Sequence, residues 1–549
     1  MKVIRYIYML TLMVALGACS DEFLEVIPQD RLVADNYFRN EKEIKSATAS
    51  LYNLAWFGYN DKLAWMGGDV MSGDLHHTWD QEGQFFFFSF NEGNSHISSG
   101  WNSLFRVVSY ANSIINDMPR AAEGNVEQKV IDEGLAEARF IRAAAYYFLT
   151  EYFGELPIVE NSTELVTSNN MLLPKNTQSS LYEFMIRDLE FAAANLRTSD
   201  QPGRVTQWSA KGMLAKVYLT RAQHLNSSTS SQDFEEAKKL AADVIENSGL
   251  SLMNNYANLF HVDYNNNEET LFALQWMSGN YGLGNSRQAN YARNSLITGN
   301  TEAWGGGKSA SLSLLNAISK NDARRASIIM ESGNFYPEIN QEEGGYTYNI
   351  VTYDDGGQQI ESAAPLLNNI KKYVVGSAQD FPGKVSTNQA VELNTYMLRL
   401  ADVYLVYAEA VLGASASTSD TKALQYFNAI RDRASLPSLS TLTFEDIFNE
   451  RRVEFAFEGI NWFDVKRLYY RNASAALNYL NAQKRGMIYQ RIQGDNVPDE
   501  NSVDGYVLEQ NTAEVLVTEG DMFLPIPSSE VLNNALLAPG AEAVAYEFD

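Results

Sequence analysis
Residues 136–159 read Ala-Glu-Ala-Arg-Phe-Ile-Arg-Ala-Ala-Ala-Tyr-Tyr-Phe-Leu-Thr-Glu-Tyr-Phe-Gly-Glu-Leu-Pro-Ile-Val, and this stretch decides the fold. Most of it lies within residues 127–153, where apolar side chains recur at the three-to-four spacing that lines one face of an α-helix. The same period returns over 40–57, 100–118, 208–222, 234–247, 394–412, 420–435 and 444–457. Two of these regions carry one supersecondary unit. Ala-Lys-Gly-Met-Leu-Ala-Lys-Val-Tyr-Leu (210–219) precedes the polar run 226–232 and then Phe234, Ala237 and Ala241. Leu-Arg-Leu-Ala-Asp-Val-Tyr-Leu-Val-Tyr-Ala (398–408) precedes the polar run 413–421 and then Ala423-Leu-Gln-Tyr-Phe-Asn-Ala-Ile-Arg. Small residues at regular intervals let the backs of two helices approach closely. That is the physics of tetratricopeptide-like hairpins, although the strict repeat consensus is not met.

The expected fold is therefore mainly α, with degenerate helix pairs over about 30–250 and 390–470. Residues 250–390 differ, being rich in Gly, Asn, Tyr and Trp with only short apolar runs such as 270–276. Long loops carried on a rigid scaffold are where binding surfaces sit, so this region is expected to form an irregular ligand face. No long low-complexity linker divides the body, and residues 19–549 read as one domain.

At the N-terminus, Lys2 and Arg5 precede an apolar run from Ile7 to Leu16, then Gly17-Ala18-Cys19. Residues 1–18 read as a secretory signal, too short to span a bilayer. The small residues ahead of Cys19 form a bacterial lipobox, which predicts lipidation of Cys19 and a membrane anchor. Each buried methylene of an acyl chain contributes roughly 0.8 kcal/mol to such anchoring. Cys19 is the single cysteine, which leaves the body no thiol for a disulfide, a thiolate zinc site or a cysteine nucleophile. The net charge is −26, from 68 acidic against 42 basic residues. Such a field repels nucleic acid and other polyanions and favours a neutral ligand.

Catalytic motifs fail on inspection. Gly305-Gly-Gly-Lys308-Ser309 ends like a phosphate loop, but Glu302 stands where that motif needs glycine, so a flexible turn is expected. Gly282 and Gly284 lack the third glycine of a dinucleotide fingerprint, position 287 being Arg287. His76 and His77 are adjacent and point to different faces, a poor chelating pair. Asp263, Asn265 and Asn267 imitate the start of a calcium loop, yet Glu268 and Leu274 occupy the positions that need Gly and Glu. No metal or cofactor is expected. Glu450, Glu454 and Glu458 share one helical face and are read as part of an ion-pair network rather than as a glycosidase pair. Gly459 is expected to stop that helix and Asn461 to cap the next.

Residues 136–159 resemble the hallmark helix of SusD/RagB proteins. Four more blocks agree in order: Arg204-Val-Thr with the helix to Leu219; residues 398–410; Asn428 to Ala434; and Glu450 to Gly459 followed by Trp462-Phe-Asp464. Phe523-Leu-Pro-Ile-Pro527 is a further family feature. The resemblance implies a SusD-like fold and a surface lipoprotein of the outer membrane. It also implies binding of oligosaccharides and delivery to a SusC-like, TonB-dependent transporter, without catalysis. Ser20-Asp21-Glu22 resembles the signal that displays such lipoproteins outward. A peptide-binding RagB-type protein and a surface glycoside hydrolase are the alternatives. These blocks are scaffold motifs and name no sugar-contacting residue.

Sugar rings present flat C–H faces that pack on aromatic rings, and their hydroxyls need polar partners. Two segments combine both. Asp69, Asp74, His76, His77 and Trp79 form one; Trp276, Asn280, Tyr281, Arg287, Tyr291 and Trp304 form the other. The run Phe85–Phe88 is read as a buried strand.

Overall fold
The computed structural model describes residues 37–168, 171–353, 359–362, 368–483, 485, 487–491, 502–503, 506–511 and 515–548. Cys19 and Ser20-Asp21-Glu22 lie outside the described residues. The chain is mainly helical, as the periodicity requires. Helices of eight residues or more are α1 (Glu41–Ala49), α2 (Asp80–Phe87), α3 (Ser95–Ala122), α4 (Gln128–Phe153), α5 (Gln178–Asn195), α6 (Gln207–Ala222) and α7 (Ser230–Asn247), followed by α8 (Leu400–Leu412), α9 (Thr421–Arg433), α10 (Phe444–Glu454), α11 (Asn461–Arg471) and α12 (Ala473–Asn481). From α3 to α7 each helix packs on the next. α4 carries the opening stretch and lies between α3 and α5, which is why nearly every side chain from Ala136 to Phe153 is buried. Each large apolar side chain so buried contributes roughly 1.5–3 kcal/mol.

The helical stack is continuous in space and broken in sequence. The chain leaves it after α7 and returns at α8, which packs back on α7 and then pairs with α9. Of the short strands, four matter here: β1 (Leu75–His76), β2 (Thr270–Leu274), β3 (Ser309–Ala310) and β4 (Thr395–Arg399). β2 pairs antiparallel with β4, so the two ends of the excursion are joined at its base. Within the excursion the longest helix among the described residues is Leu312–Ala317. Its irregular character is as expected.

Several details differ from the sequence reading. Residues 395–399 form β4 rather than the start of a helix, because backbone pairing with β2 wins over an apolar run that suits either state. Helix α1 ends at Ala49, and tight turns continue to Trp56. Phe85–Phe88 is not a strand: Phe85 to Phe87 close α2, and Phe88 ends it in the left-handed region at φ 51°. Asn461 does not cap α11. It is the first helical residue, and its side chain donates to Asp74 and to the Arg452 carbonyl. Gly459 does not stop α10, which ends at Glu454 with Phe455 as its cap; it lies in the turn beyond, at φ 83°, where a Cβ would stand 2.8 Å from the Ala64 carbonyl oxygen.

Glu450 and Glu454 of α10 and Glu458 in the turn beyond it do not share one helix, yet they form an ion-pair network, with distant cations. Arg324 reaches Glu450 and Glu454 at 2.7 Å, Arg399 reaches Glu454 and Glu458, and Lys372 reaches Glu458 at 2.9 Å. Arg451 turns instead to Asp402 and Asp464, and Arg452 to Asp74. Burial alone would raise the Glu454 carboxyl; Arg433, Arg399 and Arg324 outweigh it and hold the group below the usual carboxylate range. These carboxylates are structural.

Candidate ligand-binding cleft
The antiparallel pairing of β1 with β3 brings two distant segments side by side, with His76 opposite Ser309. Just beyond that ladder each segment presents a tryptophan to solvent. Trp79 is 61% exposed and Trp304 is 47% exposed. Both line an open cleft of about 590 Å³, with Lys62, His77, Asp80, Gln81, Glu82, His96, Asn290 and Lys308 supplying polar groups. The turn Gly305–Gly307 forms its rim, and the glycines are there for room. A Cβ on Gly305 would fall 2.1 Å from the Tyr291 carbonyl oxygen, and one on Gly307 would fall 2.9 Å from the Trp79 indole. The Arg293 guanidinium fixes the same turn by donating to the carbonyls of Gly306 and Lys308.

Glu82, in the first turn of α2, is the electrostatic centre of the cleft. Its carboxylate lies 2.9 Å from His77 Nε2, 3.3 Å from Lys308 Nζ and 3.5 Å from Lys62 Nζ. Burial would raise this carboxyl, but the His77 hydrogen bond and the lysine charges hold it at about 2. Lys308 is itself held below the ordinary lysine value, by burial first and against the pull of Glu82. Tyr281 is joined to the cleft lining through Asp61. Its ring packs edge-on against Phe57 and is 54% exposed, while its hydroxyl donates to Asp61 at 2.9 Å. Asp61 also accepts from Ser286 and from Asn290, one of the residues lining the cleft. Exposed aromatic faces beside convergent polar groups suit a ligand with flat apolar faces and many hydroxyls.

Known proteins share this architecture. A profile of the SusD family matches residues 247–539, and one described as "Starch-binding associating with outer membrane" matches residues 22–219. A SusD-like protein of Bacteroides ovatus is 36% identical, over 97% of this chain and 96% of its own. The chain belongs to the SusD family. SusD-like protein P2 of Formosa agariphila is 27% identical over 86% of this chain and 92% of its own. A crystal structure solved with xylogluco-oligosaccharide is 34% identical, with a TM-score of 0.81, covering 92% of this chain and 99% of that one.

Within this SusD-family scaffold the sequence candidates divide by burial. Trp79, Tyr281, Trp304 and Asn280 are exposed. Trp276, Arg287, Tyr291, Asp69 and Asp74 are interior and present no surface to a ligand. The indole N–H of Trp276 is satisfied by Thr395, the Arg287 guanidinium lies over the Tyr373 ring, and Tyr291 packs edge-on against Trp65. Asp69 accepts from the Gly459 N–H, and burial raises its carboxyl well above the usual range. Asp74 is paired with Arg452 at 2.7 Å. The calcium-like asparagines are loop ties: Asn265 donates to the Glu392 carbonyl and Asn267 to Tyr396. Sequence reading missed Lys62, Glu82 and Lys308. The signal that could have flagged Lys308 was the glycine run between it and Trp304, which marks close backbone approach rather than slack.

Proposed function
We propose that this chain captures neutral oligosaccharides in the Trp79–Trp304 cleft, as a lipoprotein anchored through Cys19 on the outward face of the outer membrane. It hands them, uncut, to a SusC-like TonB-dependent transporter. The observation that carries the reading is the pair of solvent-facing tryptophans on one cleft, with Tyr281 joined to its lining through Asp61 and hydrogen-bonding groups between. Xylogluco-oligosaccharide, the ligand of a 34% identical relative, is the first to test.

Calorimetry on a soluble form beginning at Ser20, titrated with xylogluco- and other neutral oligosaccharides, checks it. Replacing Trp79, Tyr281 and Trp304 by Ala is expected to cut affinity about tenfold or more per residue, equivalent to about 1.4 kcal/mol each. The circular dichroism spectrum should stay unchanged, since all three rings are half exposed. Wild-type affinity in the triple variant sinks the assignment. Release of new reducing ends on incubation would instead favour a hydrolase.

A further inference from the structure
Both ring nitrogens of His77 face acceptors. Nδ1 is 3.1 Å from the Gly307 carbonyl oxygen, and Nε2 is 2.9 Å from the Glu82 carboxylate. The ring thereby bridges the Gly307 backbone of the Trp304 segment and the Glu82 carboxylate of the Trp79 segment. From the same carboxylate a second path runs to the other tryptophan. Lys308 Nζ lies 3.3 Å from Glu82 and donates to the Trp304 carbonyl at 3.4 Å. Gly307 is also the backbone on which the Trp79 indole rests. The His77 ring itself lies 6.2 Å from that of Trp79, centroid to centroid. Thus the side-chain ties between the Trp79 segment and the Trp304 segment converge on one largely buried carboxylate.

We propose that Glu82 is a positioning residue for the ligand cleft, setting the spacing of Trp79 and Trp304 through His77 and Lys308. The proposal rests on the cleft being the ligand site. A surface ion pair of ordinary kind would contribute little and nothing specific. This one differs because its partners are the backbone carriers of both aromatic walls.

The test uses the soluble protein and xylogluco-oligosaccharide, or whichever neutral oligosaccharide the wild type binds best. Glu82→Gln keeps size and an acceptor while removing the charge. It is expected to lose at least fivefold in affinity with its thermal midpoint little changed. Acrylamide quenching of tryptophan fluorescence without ligand should rise, because Trp79 and Trp304 are the exposed tryptophans among the described residues. His77→Asn should lose affinity similarly, and the double variant should lose no more than either single one, as expected of groups acting as a unit. If Glu82→Gln fails to fold, Lys308→Met carries the same expectation. Affinity and quenching within twofold of wild type in these variants, with binding lost in Trp79→Ala, would overturn the proposal and leave the cleft standing. Wild-type binding by the Trp79→Ala, Trp304→Ala variant would overturn the cleft, and this role with it.

Discussion

Lys466 sits fully buried in α11, its ammonium donating to the Met522 carbonyl and lying 3.1 Å from the centroid of the Phe523 ring. Burial drives its pKa down from 10.5 to about 7, and only Glu151 pulls it back. The sign of the consequence follows from proton counting. Between about 7 and 10.5 the unfolded chain binds a proton that the folded chain does not, so stability gains as pH rises through that window. Below about 7 both states are protonated and the full cost of burying the charge is present. Lys466→Met is therefore expected to stabilise the protein most at pH 6. Its advantage should shrink by up to about 1.4 kcal/mol per pH unit toward pH 9.5. Urea unfolding of both proteins at pH 6, 8 and 9.5 measures it; a constant difference would refute the assignment. Single-residue environments of this kind were the least legible part of the sequence. Trp276 and Trp79 both sit in Gly-containing, polar surroundings. One became interior because Thr395, distant in sequence, receives its N–H; the other stayed exposed against the backbone of Gly307.

Arg399 shows how the excursion is secured to the helical stack. It ends β4 and precedes α8, and all five guanidinium donors are used on Glu269, Glu454 and Glu458. Glu269 immediately precedes β2 and the other two belong to α10 and the turn after it, so one side chain joins both ends of the excursion to the scaffold. Arg399→Met would leave these buried carboxylates short of a cation. Breaking such a pair costs about 3–5 kcal/mol. Denaturant unfolding should show a loss of that size, or no soluble protein at all, whereas Arg187→Met, on an exposed pair with Glu183, should change stability by less than about 1 kcal/mol. At this scale the sequence was informative about helices and poor about their edges. The 3.6-residue period is local, so α4, α6 and α7 were legible to within a few residues. Pairing partners are not local, so the strand at 395–399 was not legible, while the apolar run Phe85–Phe88 suits either state and closes a helix.

At the scale of the whole molecule, a net charge of −26 surrounds a cleft whose cations, Lys62 and Lys308, converge with the His77 ring on Glu82. This arrangement leaves those cations committed to an internal carboxylate, inside a field that repels a polyanion. The class of ligand excluded was thus readable from composition, while the cleft that receives the favoured class was not. It is assembled by β1 pairing with β3 across most of the scaffold's first half. A neutral oligosaccharide held by ring stacking and hydrogen bonds has no charge for salt to screen. Its affinity should change by less than about twofold between 50 mM and 1 M NaCl, although the screening length falls to roughly 3 Å at the upper limit. A uronate-bearing oligosaccharide of equal length should bind more weakly at low salt and gain affinity as the repulsive field is screened. Affinity electrophoresis or calorimetry at the two salt concentrations separates these outcomes. Tight binding of the uronate at 50 mM NaCl that falls steeply with salt would mean that Lys62 is available to the ligand, and the preference for neutral glycans would then be wrong.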